Sequence, residues 1–355
     1  MTRTRKSRSG ALFLLLLMVA AAAAGFWAWQ RYSAFADTPI SGLEEGDSVV
    51  VASGDSLAAV LDKLRDAGVH EGDDVEWRVL ARELGAAANL NVGEYALEPG
   101  TTPRQLLLAM RAGDTIQYRF TIVEGWNIRE LRSALDAAEP LRHESTDLDA
   151  NGLMAAIGHP GEHPEGRFLP ETYMYGRGAS DLDLLRRAYA ASEKALAAAW
   201  ERRDPDSPLR TPYEMLILAS IVEKETGIAE ERPQIAGLFQ RRLDIGMRLQ
   251  TDPTVIYGIG EAYDGNIRRS HLTTDTPYNT YTRVGLPPTP IAMAGVDALE
   301  AVANPAPGTA LYFVAIGDGS GRHLFADSLG EHQSNVRKYL TNYRQARQQA
   351  RRDTE

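Results

Sequence analysis

The 355-residue sequence contains no cysteine, so disulfides, thiolate metal sites and cysteine nucleophiles are excluded. Histidine is scarce. The seven are His70, His143, His159, His163, His271, His323 and His332, and none stands in an H-E-x-x-H pattern. His159 and His163 have a spacing that suits two ligands on one helical face, but Pro160 and Gly161 between them argue for a loop. No metal and no organic cofactor is expected. The G-x-S-x-G elbow, the S-x-x-K and K-T-G pair, the P-loop and the Rossmann glycines are all missing. A formal net charge of −10 gives a nucleic-acid partner no general electrostatic support. After Trp29 no apolar run approaches membrane length.

What is present begins at the N-terminus. Arg3, Arg5, Lys6 and Arg8 precede an uncharged, apolar run from Ala11 to Trp29, and Arg31 follows. At about 1.5 Å per residue this run matches a hydrocarbon core of ~30 Å. The excess of basic residues before it predicts a cytoplasmic tail over 1–10 and a transmembrane helix over 11–29, with Trp27 and Trp29 at the outer interface. The competing reading is a cleaved signal peptide, for which Ala34-Phe35-Ala36 resembles a cleavage site. The apolar run is long for a signal sequence, so an uncleaved anchor is expected. Either way the chain from about Ser33 onward is exported.

The remainder reads as an α+β protein. Ser48–Val51 and Gly93–Leu97 are short strands, and helices are expected from Asp55 or Ser56 to Gly68 and from Thr101 to Arg111, with Pro103 near its first turn. This pattern over 38–115 is similar to a LysM-like glycan-binding fold, with a structural spacer as the alternative. A connecting strand and helix follow over 116–160, where Asn127 caps a helix starting near Ile128. The third region, 161–345, carries helices over Leu182–Arg203, Pro212–Thr226 and Glu230–Ile245. A Gly/Pro/Asn/Tyr-rich segment runs from Gly246 to Gly295, and a hairpin over Leu311–Ala326 turns at Gly317–Gly321. A long irregular segment inside a compact domain is usually functional.

The helix over Pro212–Thr226 is apolar nearly all the way round, which marks it as buried, yet it ends Glu223-Lys224-Glu225-Thr226. At about 100° per residue, Lys224 falls between Ser220 and Ile217, on the side expected to face solvent. Glu225 falls between the bulky Leu218 and Ile221. A carboxyl desolvated by aliphatic neighbours has a raised pKa, as a general acid near neutral pH requires. Periodicity alone leaves a second reading open, in which both glutamates are solvated or paired with Arg241 or Arg242 at a frayed helix end. The segment beyond supplies tyrosines, amides, hydroxyls and a carboxylate in the density a carbohydrate groove needs. A proline-rich structural loop fits the same composition.

Several blocks together resemble the endolytic murein transglycosylases of the YceG/MltG type. They are Val123-Glu124-Gly125, Phe168-Leu169-Pro170-Glu171-Thr172-Tyr173, Ala219–Thr226, Arg242–Gly258, Tyr278-Asn279-Thr280-Tyr281 and Gly285-Leu286-Pro287-Pro288, then Asn304-Pro305 and Leu311–Val314. The resemblance extends over about Thr38–Leu340. It implies a catalytic domain over 161–345 in which Glu225 is the catalytic glutamate and Gln250, Asp252 and Tyr257 lie in or near the cleft. By extension Tyr278, Asn279, Tyr281 and Glu171 are substrate-binding candidates. His323 and the Pro140–Pro164 region carry no role that transfers. The implied reaction cleaves the β-1,4 bond between N-acetylmuramic acid and N-acetylglucosamine without water, giving 1,6-anhydro ends on nascent strands and limiting their elongation. Penicillin-binding synthases are the implied partners. A hydrolytic muramidase using Asp252 and a non-catalytic wall-binding scaffold are the alternatives.

Overall fold

A computed structural model describes residues 7–352, so Arg3, Arg5 and Lys6 of the basic tail lie outside the described residues. The chain divides into two compact units, one ending at Tyr118 and the other starting at Arg119.

The first unit opens with helix α1, Ser7–Asp37. Residues Ala11–Asp37 are long and apolar enough to cross a membrane, with a mean hydropathy of 2.3. The helix continues past the apolar run, and its last turns join the core of the unit: Ala36 is fully buried and Phe35 meets Trp77 edge-on at 5.3 Å. Gly72 sits beneath the Phe35 ring with a positive φ of 65°, and a Cβ there would collide with that ring. Strand β1, Ser48–Val51, pairs antiparallel with β2, Gly93–Ala96, placing Ser48 opposite Ala96. Val49 and Val51 point inward and Val50 outward, the alternation of a half-covered sheet.

Between these strands lie α2, Leu57–Asp66, capped by Ser56, and α3, Asp74–Glu83. Sequence reading did not anticipate α3, although Asp73 and Glu76 form a full capping box ahead of buried Trp77, Leu80 and Ala81. Helix α4, Pro103–Ala112, starts with a Thr102–Gln105 capping box and stops at Gly113 in the left-handed region, φ 76°.

In the second unit, β3 (Tyr118–Thr121, at the boundary) pairs with β4 (Thr172–Tyr175), a strand not expected from the sequence. Helices α5, Ile128–Asp136, and α6, Ala150–Ala156, lie between them in sequence. Then come α7, Asp181–Glu201; α8, Pro212–Glu225; α9, Arg232–Asp244; α10, Asp252–Ile259; and α11, Arg269–Thr273. Helix α12, Val296–Ala303, the antiparallel hairpin β5 (Tyr312–Ala315) and β6 (His323–Ala326), and α13 (Leu329–Arg352) complete the unit.

The long irregular segment from Gly246 is therefore partly helical. Thr251 stands at the N-cap position of α10 and Pro253 lies in its first turn, where the ring costs no hydrogen bond.

Helix α8 is the centre of this unit. Met215 to Val222 are all buried, and α7, α9 and α12 pack around them through Leu196, Ile235, Phe239, Leu299 and Val302. Alanines 298, 301 and 303 let α12 approach closely. The side of α8 expected to face solvent is covered: Ser220 is buried, donating to Ile217 O at 2.7 Å and accepting from Ile291 N at 3.0 Å. Only Lys224, one turn later, is exposed there.

Candidate active site

The two glutamates ending α8 have different surroundings. Glu223 is closed in, its side chain only 5% exposed, accepting from Gly295 N at 3.0 Å and facing the Arg232 guanidinium at 3.6 Å. Burial raises its pKa, and the bond from Gly295 opposes that rise. Glu225 instead lines an open cavity of about 500 Å³, together with Gln250, Asp252, Tyr281, Arg242, Tyr312 and His332. Its pKa is pushed up to about 7, chiefly by burial of the carboxyl, with the nearby Asp252 charge adding to the rise. A hydrogen bond from Thr251 and the charge of Arg242 pull the other way. Neither glutamate is paired with Arg241 or frayed.

The opposite wall is set by how α9 ends. Gly246, at φ 67°, turns the chain, and Met247 N returns to Arg242 O at 2.7 Å. Leu249 then plugs into the core and directs the next three residues past the end of α8. Gln250 holds φ 50°, the one non-glycine residue with positive φ among the described residues, which places it in a strained conformation on the cavity wall. Thr251 follows, and its hydroxyl donates to Glu225 Oε1. Its backbone is fixed from behind: Thr251 N donates to Thr280 Oγ1 at 3.1 Å, and Thr254 Oγ1 donates to Thr251 O at 2.8 Å. Thr254 and Thr280 share a further hydrogen bond of 2.9 Å, so three buried threonines hold one hydroxyl on the acid. Arg242, itself buried, donates to Leu249 O and to Leu311 O, tying this loop to the start of β5. Asp252 accepts from Tyr281 Oη at 2.6 Å and is otherwise exposed.

The cavity thus gathers Glu225, Gln250, Asp252 and Tyr281. It does not gather the remaining candidates. Tyr257 lies on the far side of α10, tilted against Tyr278 at 4.8 Å, and donates to Glu165 Oε2 at 2.9 Å. Tyr278 Oη is hydrogen-bonded with Thr289 at 2.9 Å. Asn279 is 1% exposed, and its side-chain nitrogen is spent on the carbonyls of His271, Leu272 and Thr274 while its oxygen accepts from Tyr281 N. It shapes the loop that presents Tyr281. Glu171 is exposed, with its backbone oxygen accepting from Ile122 N at 3.0 Å beside β4.

Residues 49–338 match the YceG-like family. The chain belongs to that family. The Endolytic murein transglycosylase of Bacillus subtilis is 26% identical over 314 residues, 83% of this chain and 85% of its own length. The protein of the same name from Streptococcus pneumoniae serotype 2 is 32% identical over 71% of this chain, which spans about half (51%) of that longer relative. A crystal structure of a YceG-like protein from Listeria monocytogenes is 27% identical with a TM-score of 0.52, covering 81% of this chain and 98% of that one.

Sequence reasoning missed several residues of this YceG-like site. Thr251 was passed over beside Asp252, although a threonine just ahead of a Pro-initiated helix is a recognisable cap position. His323, to which no role was given, lines the cavity; its backbone N–H and ring nitrogen both bind Glu231, at 3.0 and 2.7 Å. His332 stacks on Tyr312 at 5.3 Å, and no sequence signal marks it. Outside the cavity, Glu165 is fully buried, accepts from Ile128 N and Tyr257 Oη, and has its pKa pushed up to about 7 by burial.

Proposed function

We propose that this YceG-like chain is a membrane-anchored lytic transglycosylase that cuts peptidoglycan glycan strands internally, with Glu225 as its single acid and base. The observation that carries this reading is the Glu225 carboxyl, half neutral near pH 7, on the wall of an open polar cavity. Protonated Glu225 gives its proton to the glycosidic oxygen leaving C1 of N-acetylmuramic acid. The resulting carboxylate takes the proton of the C6 hydroxyl as that oxygen bonds to C1, closing a 1,6-anhydro ring. The glutamate ends as it began and no water is consumed. One carboxylate suffices because the nucleophile belongs to the substrate, whereas ordinary glycosidases use two. Gln250, Asp252 and Tyr281 supply an amide, a carboxylate and a phenol to hold the sugars, and Tyr257 on α10, Tyr278 and Asn279 on the segment that presents Tyr281, and Glu171 beside β4 act from outside the cavity.

Asp252 favours a second reading. An exposed carboxylate in the same cavity could activate water, making the enzyme a muramidase. Mass spectrometry of the products separates the two, since an anhydro end is one water lighter than a reducing end. Wild type is expected to give anhydro ends and Glu225→Gln no cleavage while still binding glycan. Normal activity in that variant removes Glu225 as the acid, whereas no cleavage by wild type returns the chain to the class of wall-binding scaffolds.

The first unit is read as a LysM-like glycan-binding module, supported by its strand–helix–helix–strand order. Anchoring by α1 is supported by Phe35 and Ala36, which belong to the core of that unit, so cleavage after Ala36 would remove them. The excess of basic residues before the span supports a cytoplasmic N-terminus and an extracytoplasmic site. Cutting nascent strands beside penicillin-binding synthases, and so limiting strand length, is the cellular role that fits such an anchored enzyme.

A further inference from the structure

A second cavity, of about 440 Å³, opens one residue away from the catalytic one on both of its walls. Glu225 lines the first and Lys224 the second; Asp252 lines the first and Pro253 the second. The second cavity contains two cations. The Arg129 guanidinium makes no hydrogen bond or ion pair among the described residues, although its charge acts on buried Glu165, and Lys224 donates to Gly125 O at 3.0 Å and makes no ion pair among them. In a chain of net charge −10, two cations lining one cavity with neither held in an ion pair leave room for an anion there. Glu130 and Glu261 on the same rim, with the rings of Tyr257 and Tyr263, make the lining mixed in sign and partly aromatic. Such a lining disfavours a multiply charged phosphate and suits a peptide bearing both carboxylate and amide or amine groups.

We propose that this cavity receives a carboxylate of the peptide branch carried by the glycan strand, with Arg129 and Lys224 as its anchors. The inference rests on the glycan-cleaving reading of Glu225 and adds a substrate preference to it. The sugar whose C1 is attacked is the muramic acid, and its lactyl group carries the peptide. A strand placed over Glu225 must therefore send that peptide sideways, and the neighbouring cavity is where the two cations wait. The enzyme then favours peptide-bearing over denuded strands.

The test compares glycan strands of equal length with and without stem peptides, the latter prepared with an amidase. In the Glu225→Gln background, peptide-bearing strands are expected to bind about tenfold more tightly, the size of one charge-assisted contact in a partly open site. Adding Arg129→Gln should erase that difference and leave the affinity for denuded strands unchanged, while Arg129→Lys should restore part of it. Equal binding of the two strands, or an equal loss on both in Arg129→Gln, overturns the proposal. In the active enzyme the same pattern is expected in kcat/KM. Because the binding arm needs no turnover, a wild-type chain that cleaves nothing refutes the transglycosylase reading while leaving the peptide site to be judged on affinity alone.

Discussion

Replacing Thr251 by valine removes one hydroxyl and little else. The side chain keeps its shape, and the bonds from Thr251 N to Thr280 and from Thr254 to Thr251 O involve only backbone atoms of residue 251. What is lost is the donor on Glu225 Oε1, which favours the charged carboxylate and holds its pKa down. A hydrogen bond to a charged group is worth about 1.5–3 kcal/mol, and about 1.4 kcal/mol corresponds to one pKa unit. Water from the open cavity replaces part of the bond, so the rise should be near the lower figure, about one unit.

In the proposed mechanism the acid form is the competent one, so kcat/KM should fall as pH rises through the free-enzyme pKa. That falling limb is expected near 7 in wild type and about one unit higher in Thr251→Val. Thr251→Ser, which keeps the hydroxyl, should stay near the wild-type position. Asp252→Asn should move the limb the other way, because the Asp252 charge now raises the pKa of Glu225. The assay is the pH profile of kcat/KM on soluble strands, read for the position of the limb and not its height, since a weaker acid also protonates more slowly. A limb that stays in place, or moves down in Thr251→Val, refutes the assignment of Glu225 as the group that titrates.

Three further outcomes are expected. Glu165, fully buried with a folded pKa of about 7 against an ordinary 4.5, holds a proton in the native state that the unfolded chain releases. Its contribution to stability is present below about 4.5, is lost as pH rises towards 7, and amounts to about 3 kcal/mol at most. Denaturant midpoints should therefore fall over that window, and fall less steeply in Glu165→Gln; parallel curves for the two proteins would contradict the assignment. Gly166→Ala places a methyl in a left-handed conformation, φ 75°, against the Pro290 ring, and should lower unfolding stability by about 2–3 kcal/mol in a denaturant titration. Finally, mass spectrometry of the protein extracted from membranes should recover a peptide spanning Ala34–Asp37 intact, and a mature terminus at Asp37 would mean that α1 is a signal sequence.

Much of this was legible in the sequence where one signal dominated. The apolar circumference of α8 announced a buried helix, alternation marked the strand that begins at Tyr118, and the glycines at Gly317–Gly321 marked the late hairpin. Helix α3 went unseen because its apolar face is three residues among charged ones, though its Asp73–Glu76 box was readable. Helix α10 was hidden by a Thr-Asp-Pro-Thr start that reads as loop composition. Strand β4 gains its identity only by pairing with β3, some fifty residues earlier, a non-local relation that no window shows. Glu225 and the 250–252 segment were singled out by the block resemblance, since periodicity alone left both Glu223 and Glu225 open. Glu165, His323 and His332 were not, since each draws its role from a burial or a partner distant in sequence: Tyr257, Glu231 and Tyr312 respectively.

The proposed one-carboxylate mechanism asks for a group that gives up its proton and takes one back with comparable ease, and the mixture of forces at the end of α8 fits that demand. Burial, the Asp252 charge and the negative end of the α8 dipole all favour the acid form of Glu225. The Thr251 hydroxyl and the Arg242 charge favour the carboxylate. Removing either set would leave a group committed to one state; Glu223, two residues earlier, is set apart from Glu225 by being closed off from the cavity, opposite an arginine. Thr254 and Thr280, which fix Thr251 from behind, fit the same demand. A hydroxyl that wandered would let the acid drift upward, and the half-neutral state near pH 7 would be lost. The strained φ of Gln250 follows from the same requirement, because the chain must turn sharply after Leu249 to bring Thr251 onto the carboxyl.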